Sequence, residues 1–166
     1  MDAHTHAPGA DREAMTVKVN INIDKKIRGA LEQKRTKERV GNQVINDMKA
    51  SLAKGISPVR GERRFPAYKD PKKYPRDLKP RRPVNLYLSG DMLAALKFKP
   101  LSGTGVSIGI TDREQARKAK AHQTGDGVPK RRFVPTEKGE EFTVTITRRL
   151  RDLYASIIYD IIKRNR

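Results

Sequence analysis

Four short segments that alternate apolar with polar residues, set among stretches of helical period, predict an α+β fold. The alternating segments are 17–23, 84–88, 106–110 and 142–146, and the longest helical stretches are 25–54 and 150–162. Seven of the ten prolines fall between Pro58 and Pro100, five of them three to five residues apart from Pro66 to Pro83. Proline lacks an amide donor and its ring clashes with the preceding turn, so no regular helix crosses that stretch. The expected architecture is a small sheet of about four strands, a long N-terminal helix, a C-terminal amphipathic helix and an extended Pro-rich basic arm over 56–83.

Taken in order, residues 1–15 have no period and are expected to be a disordered tail. Residues 16–166 are expected to form a single domain. Val17, Val19, Ile21 and Ile23 alternate with Lys18, Asn20 and Asn22 as a half-buried strand would. Asp24 is placed to cap a helix over about 25–54 that stops at Gly55. Val40, Val44, Ile45, Met48 and Leu52 form its apolar stripe, with a kink expected near Gly41. The arm follows, with Phe65, Tyr68 and Tyr74 among its basic residues. Val84, Leu86 and Leu88 mark a second strand. Ser89 is expected to cap a short helix through Met92, Leu93 and Leu96 that ends before Pro100. Gly103 and Gly105 mark a turn into a third strand of Val106, Ile108 and Ile110. Thr111 or Asp112 caps a basic helix over about 113–122. Phe142, Val144 and Ile146 are expected to be the fourth strand. In the last helix Leu150, Leu153, Tyr154, Ile157, Ile158, Ile161 and Ile162 make a wide stripe that must be buried.

The 166 residues carry 37 Lys and Arg against 19 Asp and Glu, a net charge of +18. The charge is grouped: 25–54 is +6, 60–82 is +7, 113–132 is +5 and 148–166 is +4, and the remaining residues contribute −4. Four separate basic segments point to an extended contact with polyanions or acidic protein surfaces. Cysteine is absent, which excludes disulfides, thiolate zinc sites and a cysteine nucleophile. No apolar run approaches the roughly 20 residues that span a bilayer, and the N-terminus has no signal-peptide plan. A soluble intracellular protein without membrane contact is expected.

Little catalytic chemistry is in evidence. His122 is the one histidine outside the tail that holds His4 and His6. Ser89 and Ser107 stand in no nucleophile-elbow motif. Glu137, Glu140 and Glu141 lie close in sequence and could bind a magnesium ion, but a solvated acidic stretch explains them far better. No enzyme, cofactor or metal is expected.

Three segments carry a resemblance. The first is Arg82-Pro83-Val84-Asn85-Leu86-Tyr87-Leu88-Ser89-Gly90-Asp91-Met92-Leu93. The second is Val106-Ser107-Ile108-Gly109-Ile110, followed after a helix by Ala121-His122-Gln123-Thr124-Gly125. The third is Pro129-Lys130-Arg131-Arg132-Phe133-Val134-Pro135. In this order they resemble the neck and tail-completion proteins of tailed bacteriophages, including the related virion-morphogenesis proteins. Where that family has a proline before the phenylalanine of the third motif, this chain has Arg132. The match spans about a third of the chain.

The resemblance implies a non-enzymatic virion protein that joins head to tail as a six- or twelve-fold ring around the DNA channel. Its implied partners are further copies of itself, portal or adaptor proteins, tail proteins and DNA in the channel. It implies host cytoplasm before assembly and the virion neck after it. Leu88, Ser89, Gly90, Leu93, His122, Gln123, Gly125, Arg131 and Phe133 then have structural roles. Arg60, Arg63, Arg64, Lys72, Lys73, Arg81 and Arg82 are the expected partner contacts of the arm. A basic, non-specific nucleic-acid-binding module is the second reading of the same charge. A metal-dependent nuclease is a third.

Overall fold

The computed structural model describes residues 25–67, 84, 86, 90–136 and 139–164. The chain there is built of helices and a small two-stranded antiparallel sheet, an α+β arrangement. The strand expected at 17–23 lies outside the described residues, as does the tail 1–15.

Where one helix was expected from 25 to 54 there are two, α1 (Lys25–Glu32) and α2 (Lys34–Ala53). The break falls at Gln33, with φ −59° and ψ 139°, and Gly41 sits inside an unbroken helix. The reason is geometric. Leu31 and Val40 are two and a half turns apart, on opposite sides of a straight helix, yet both are buried. Changing direction at Gln33 lets both stripes reach one core. The Thr36 hydroxyl donates to the Ala30 carbonyl (3.0 Å) and ties the two helices across the break.

Gly41 answers to packing instead. A Cβ there would lie 2.3 Å from Cγ of Phe98. That phenylalanine belongs to β1 (Leu96–Pro100), which pairs with β2 (Val106–Ile110) in a hairpin of register Leu96↔Ile110 to Pro100↔Val106. Strand β1 replaces the end of the helix expected to run through Leu96. The preceding helix, α3 (Asp91–Ala94), is a single turn entered through Gly90 at φ 91°. Leu96-Lys97-Phe98-Lys99 alternates with period two, and burial of Leu96 and Phe98 against α2 decides in favour of the strand. Lys37 of α2 donates from Nζ to the Leu101 carbonyl (2.7 Å) at the hairpin tip.

The second and fourth expected strands are also corrected. Of 84–88, Val84 and Leu86 are described, and neither is in a strand. Leu86 is buried at φ 59°, outside extended backbone. Over 142–146 only Phe142 makes an isolated bridge, to Val59. The helix α5 (Val144–Arg164) begins two residues later, because Ile146 falls one turn before Leu150 and prolongs the buried stripe Ile146, Leu150, Tyr154 and Ile157. Val144 is left 66% exposed.

The expected cap of α4 (Arg113–Thr124) agrees with its structure. Asp112 Oδ1 accepts from the Gln115 amide (2.8 Å) as N-cap, and Gly125 at φ 85° ends the helix. The Gly125 and Asp126 amides both donate to the Ala121 carbonyl, the pairing that closes helices with a left-handed residue.

Helix α2 is the centre of the packing, with the hairpin, α1 and α5 against it. Asp47, 4% exposed, accepts from Arg149 of α5 (2.5 Å) and from Gln43 (3.0 Å), a polar tie between the two longest helices.

Candidate functional site

His122, Gln123, Gly125, Arg131 and Phe133, from the second and third motifs, meet at the C-terminal end of α4. The helix stops at Gly125 and the chain returns through Pro129, so that 131–134 runs past the last turn. There the Arg131 amide donates to the His122 carbonyl (2.7 Å). Gln123, buried, spends both ends of its amide on the same loop. Its Oε1 accepts from the Phe133 amide (3.1 Å) and its Nε2 donates to the Val134 carbonyl (2.5 Å). Phe133 and Val134 are fully buried. A side chain with a donor and an acceptor on one planar group is what two adjacent buried backbone groups of opposite polarity require. Leu93, also buried, belongs to α3, which packs on α4. Leu88 and Ser89 lie outside the described residues, and Gly90 takes the N-cap position expected of Ser89.

Arg131 is the least ordinary member. It is 1% exposed, and its guanidinium donates to the carbonyls of Pro66 (3.3 and 3.2 Å) and Ala67 (3.3 Å). It thereby holds the proline-rich stretch at 66–67. Beside it, His122 has its pKa lowered from 6.5 to about 4, first by burial and then by the charge of Arg131, with a backbone hydrogen bond at Pro129 acting the other way. His122 is thus neutral at physiological pH, and its buried Nδ1 has no hydrogen-bond partner among the described residues.

The beginning of the expected arm is part of the body. Ser57, Pro58 and Val59 are buried. Ile56 bridges Arg64, and the Arg60 and Thr143 amides donate to the Glu141 and Pro58 carbonyls (2.8 and 2.9 Å). This corrects the extended arm over its first twelve residues. Apolar Ile56, Pro58 and Val59 have core to join, which proline spacing does not reveal. Arg63 and Arg64 are exposed, and Arg60 pairs with Glu141 (2.5 Å). Lys72, Lys73, Arg81 and Arg82, with Tyr68 and Tyr74, lie outside the described residues.

Arg132, the departure from the family's proline, pairs with Glu140 and lies 3.9 Å from Glu62. Its carbonyl accepts from the Ser57 hydroxyl (2.6 Å). The roles of Ser57, Glu62 and Arg132 carry no signal in the sequence, because their partners are distant along the chain. Glu140 and Glu141 are both engaged by arginines, and among the described residues no group of three His, Asp or Glu is placed to hold a metal ion. Glu137 lies outside them. No described helix is long and apolar enough to cross a membrane.

Set against family models, curated proteins and solved structures, the chain matches none. Its function is to be read from its own residues.

Proposed function

We propose that the chain is a structural protein of the neck of a tailed phage, joining the head, through its portal or adaptor, to the tail as a subunit of a ring around the DNA channel. The observation that supports this most directly is the cluster at the end of α4. The residues singled out by the motifs, His122, Gln123, Gly125, Arg131 and Phe133, hold one turn and one loop by backbone hydrogen bonds and burial. They build a fixed scaffold and present no nucleophile paired with a base. Arg131 then anchors the root of the basic segment that would reach a neighbouring ring. The work of the protein is assembly, in the host cytoplasm before and in the virion neck after.

Two measurements test this. Quantitative mass spectrometry of purified phage particles is expected to find the chain at a fixed ratio of one or one-half to the portal protein. Absence from the particles overturns the reading. Reversing Arg63 and Arg64 together with Lys72, Lys73, Arg81 and Arg82 is expected to leave heads and tails separate while the protein stays folded by circular dichroism. Normal joining by that variant removes the role given to these residues.

The net charge of +18 favours one alternative, a non-specific nucleic-acid-binding protein. That reading predicts binding of the isolated protein to duplex DNA with an affinity that falls steeply with salt. The neck reading predicts weak binding by the free subunit.

A further inference from the structure

Helices α1 and α2 diverge at Gln33, and the last turns of α5 lie against the gap. A cleft of about 120 Å³ opens there, far below the roughly 300–1,000 Å³ of pockets that enclose metabolites or cofactors. Its apolar side includes Ile157, which is buried, and Ile161, which is half-buried. Three exposed arginines also line it, Arg35 and Arg39, one turn apart on α2, and Arg164 in the last turn of α5. Among the described residues, Asp160 is the single carboxylate in the lining. None of the three arginines makes an ion pair with a described carboxylate, although Glu32, Glu38 and Asp160 are near in sequence. The described arginines that do form ion pairs are Arg60 with Glu141, Arg132 with Glu140 and Arg149 with Asp47.

We propose that this cleft docks a short acidic segment of a partner protein. One aliphatic side chain of that segment sits on Ile157 and Ile161, and carboxylates on either side of it pair with Arg35, Arg39 and Arg164. Arginine's planar fork matches a carboxylate with two parallel hydrogen bonds, and three such forks around one apolar seat make a pattern rather than a diffuse charge. A nucleic-acid backbone fits less well. It brings no aliphatic group for the isoleucines, and the fixed charge of Asp160 opposes a continuous line of phosphates. The inference is independent of the neck reading and stands or falls by itself.

The test uses the full-length, nitrogen-15-labelled protein followed by amide chemical shifts. The probes are a blocked pentapeptide Glu-Glu-Leu-Glu-Glu, the same peptide with glycine at its centre, and a thymidine pentanucleotide. The leucine peptide is expected to shift the amides of Thr36, Ile157 and Ile161 in a saturable way. Replacing its leucine by glycine, or Arg39 by glutamate (R39E), is expected to weaken binding about tenfold each. Arg39 is exposed, and the spectrum of the variant reports directly whether it is folded. The proposal is overturned if these amides do not respond, if the glycine peptide or the pentanucleotide binds as well, or if R39E binds like the original protein. It is also overturned if the D11N/E13Q variant moves the same amides without any peptide, because the chain would then be filling its own cleft.

Discussion

His122 shows how a single residue couples burial to pH. Burial, then the neighbouring charge of Arg131, hold its pKa at about 4 against 6.5 for the free side chain. Between those values the unfolded chain binds a proton that the folded chain refuses, so stability rises with pH. The contribution is complete above about pH 6.5, declines as pH falls toward 4 and changes no further below that. We expect the urea midpoint of the protein to fall over this window more steeply than that of His122→Asn, in which the titrating group is gone. Parallel curves for the two proteins would show that His122 is not held neutral by the fold. The histidine and its neighbours were legible as a motif, and the sequence marked Gln123, Gly125, Arg131 and Phe133 with it. What each does was not legible. Arg131 reaches carbonyls 64 and 65 residues away, and no spacing rule reports a contact of that separation.

At the scale of elements, α2 and the β1–β2 hairpin meet at Gly41 and Phe98. An alanine in place of Gly41 would gain about 1 kcal/mol of helix propensity. It would also place a methyl group 2.3–2.7 Å from three atoms of the Phe98 ring, and overpacking of this kind costs about 1–3 kcal/mol. The clash involves the root of the ring, so a small rotation of its far edge does not relieve it. Gly41→Ala is therefore expected to lower stability in urea unfolding, and Gly41→Ala with Phe98→Leu to recover part of the loss. A single variant as stable as the original would mean that the hairpin moves freely on α2. The same contact explains why the glycine misleads. Its sequence context suggests a kink, whereas its function is to let a strand approach a helix. The real break, at Gln33, follows from the phase of Leu31 against Val40 and is recoverable from helical geometry.

For the whole molecule, the charge of +18 dominates. Six ion pairs are found among the described residues, and four of them join partners that are both substantially exposed or only loosely spaced, so they offset little of the repulsion. Screening shortens the range of that repulsion to about 10 Å at 0.1 M salt. The melting temperature is expected to rise as sodium chloride increases from low to physiological strength. A melting temperature that falls over this range would show that the attractive pairs outweigh the self-repulsion. The same surface brings Arg35, Arg39 and Arg164, none of them in an ion pair with a described carboxylate, around one apolar seat, a convergence of α2 and α5 that net charge alone does not contain.

The amino-acid sequence by itself determined the mixed α+β character, strand β2, the cap of α4, the burial of Leu150, Tyr154 and Ile157 in α5 and the strongly basic composition. These depend on residues within a few positions of one another, where period, capping chemistry and composition act directly. Of the wider stripe that the sequence implied, Leu153, Ile158 and Ile161 are only half-buried and Ile162 is 45% exposed. Only the tertiary structure decided that Leu96–Pro100 is a strand, that 144–146 is helical and that 56–59 enters the core. Each of those segments has a pattern compatible with two conformations, and the choice belongs to the surface it buries against, which is built from residues far away in the chain.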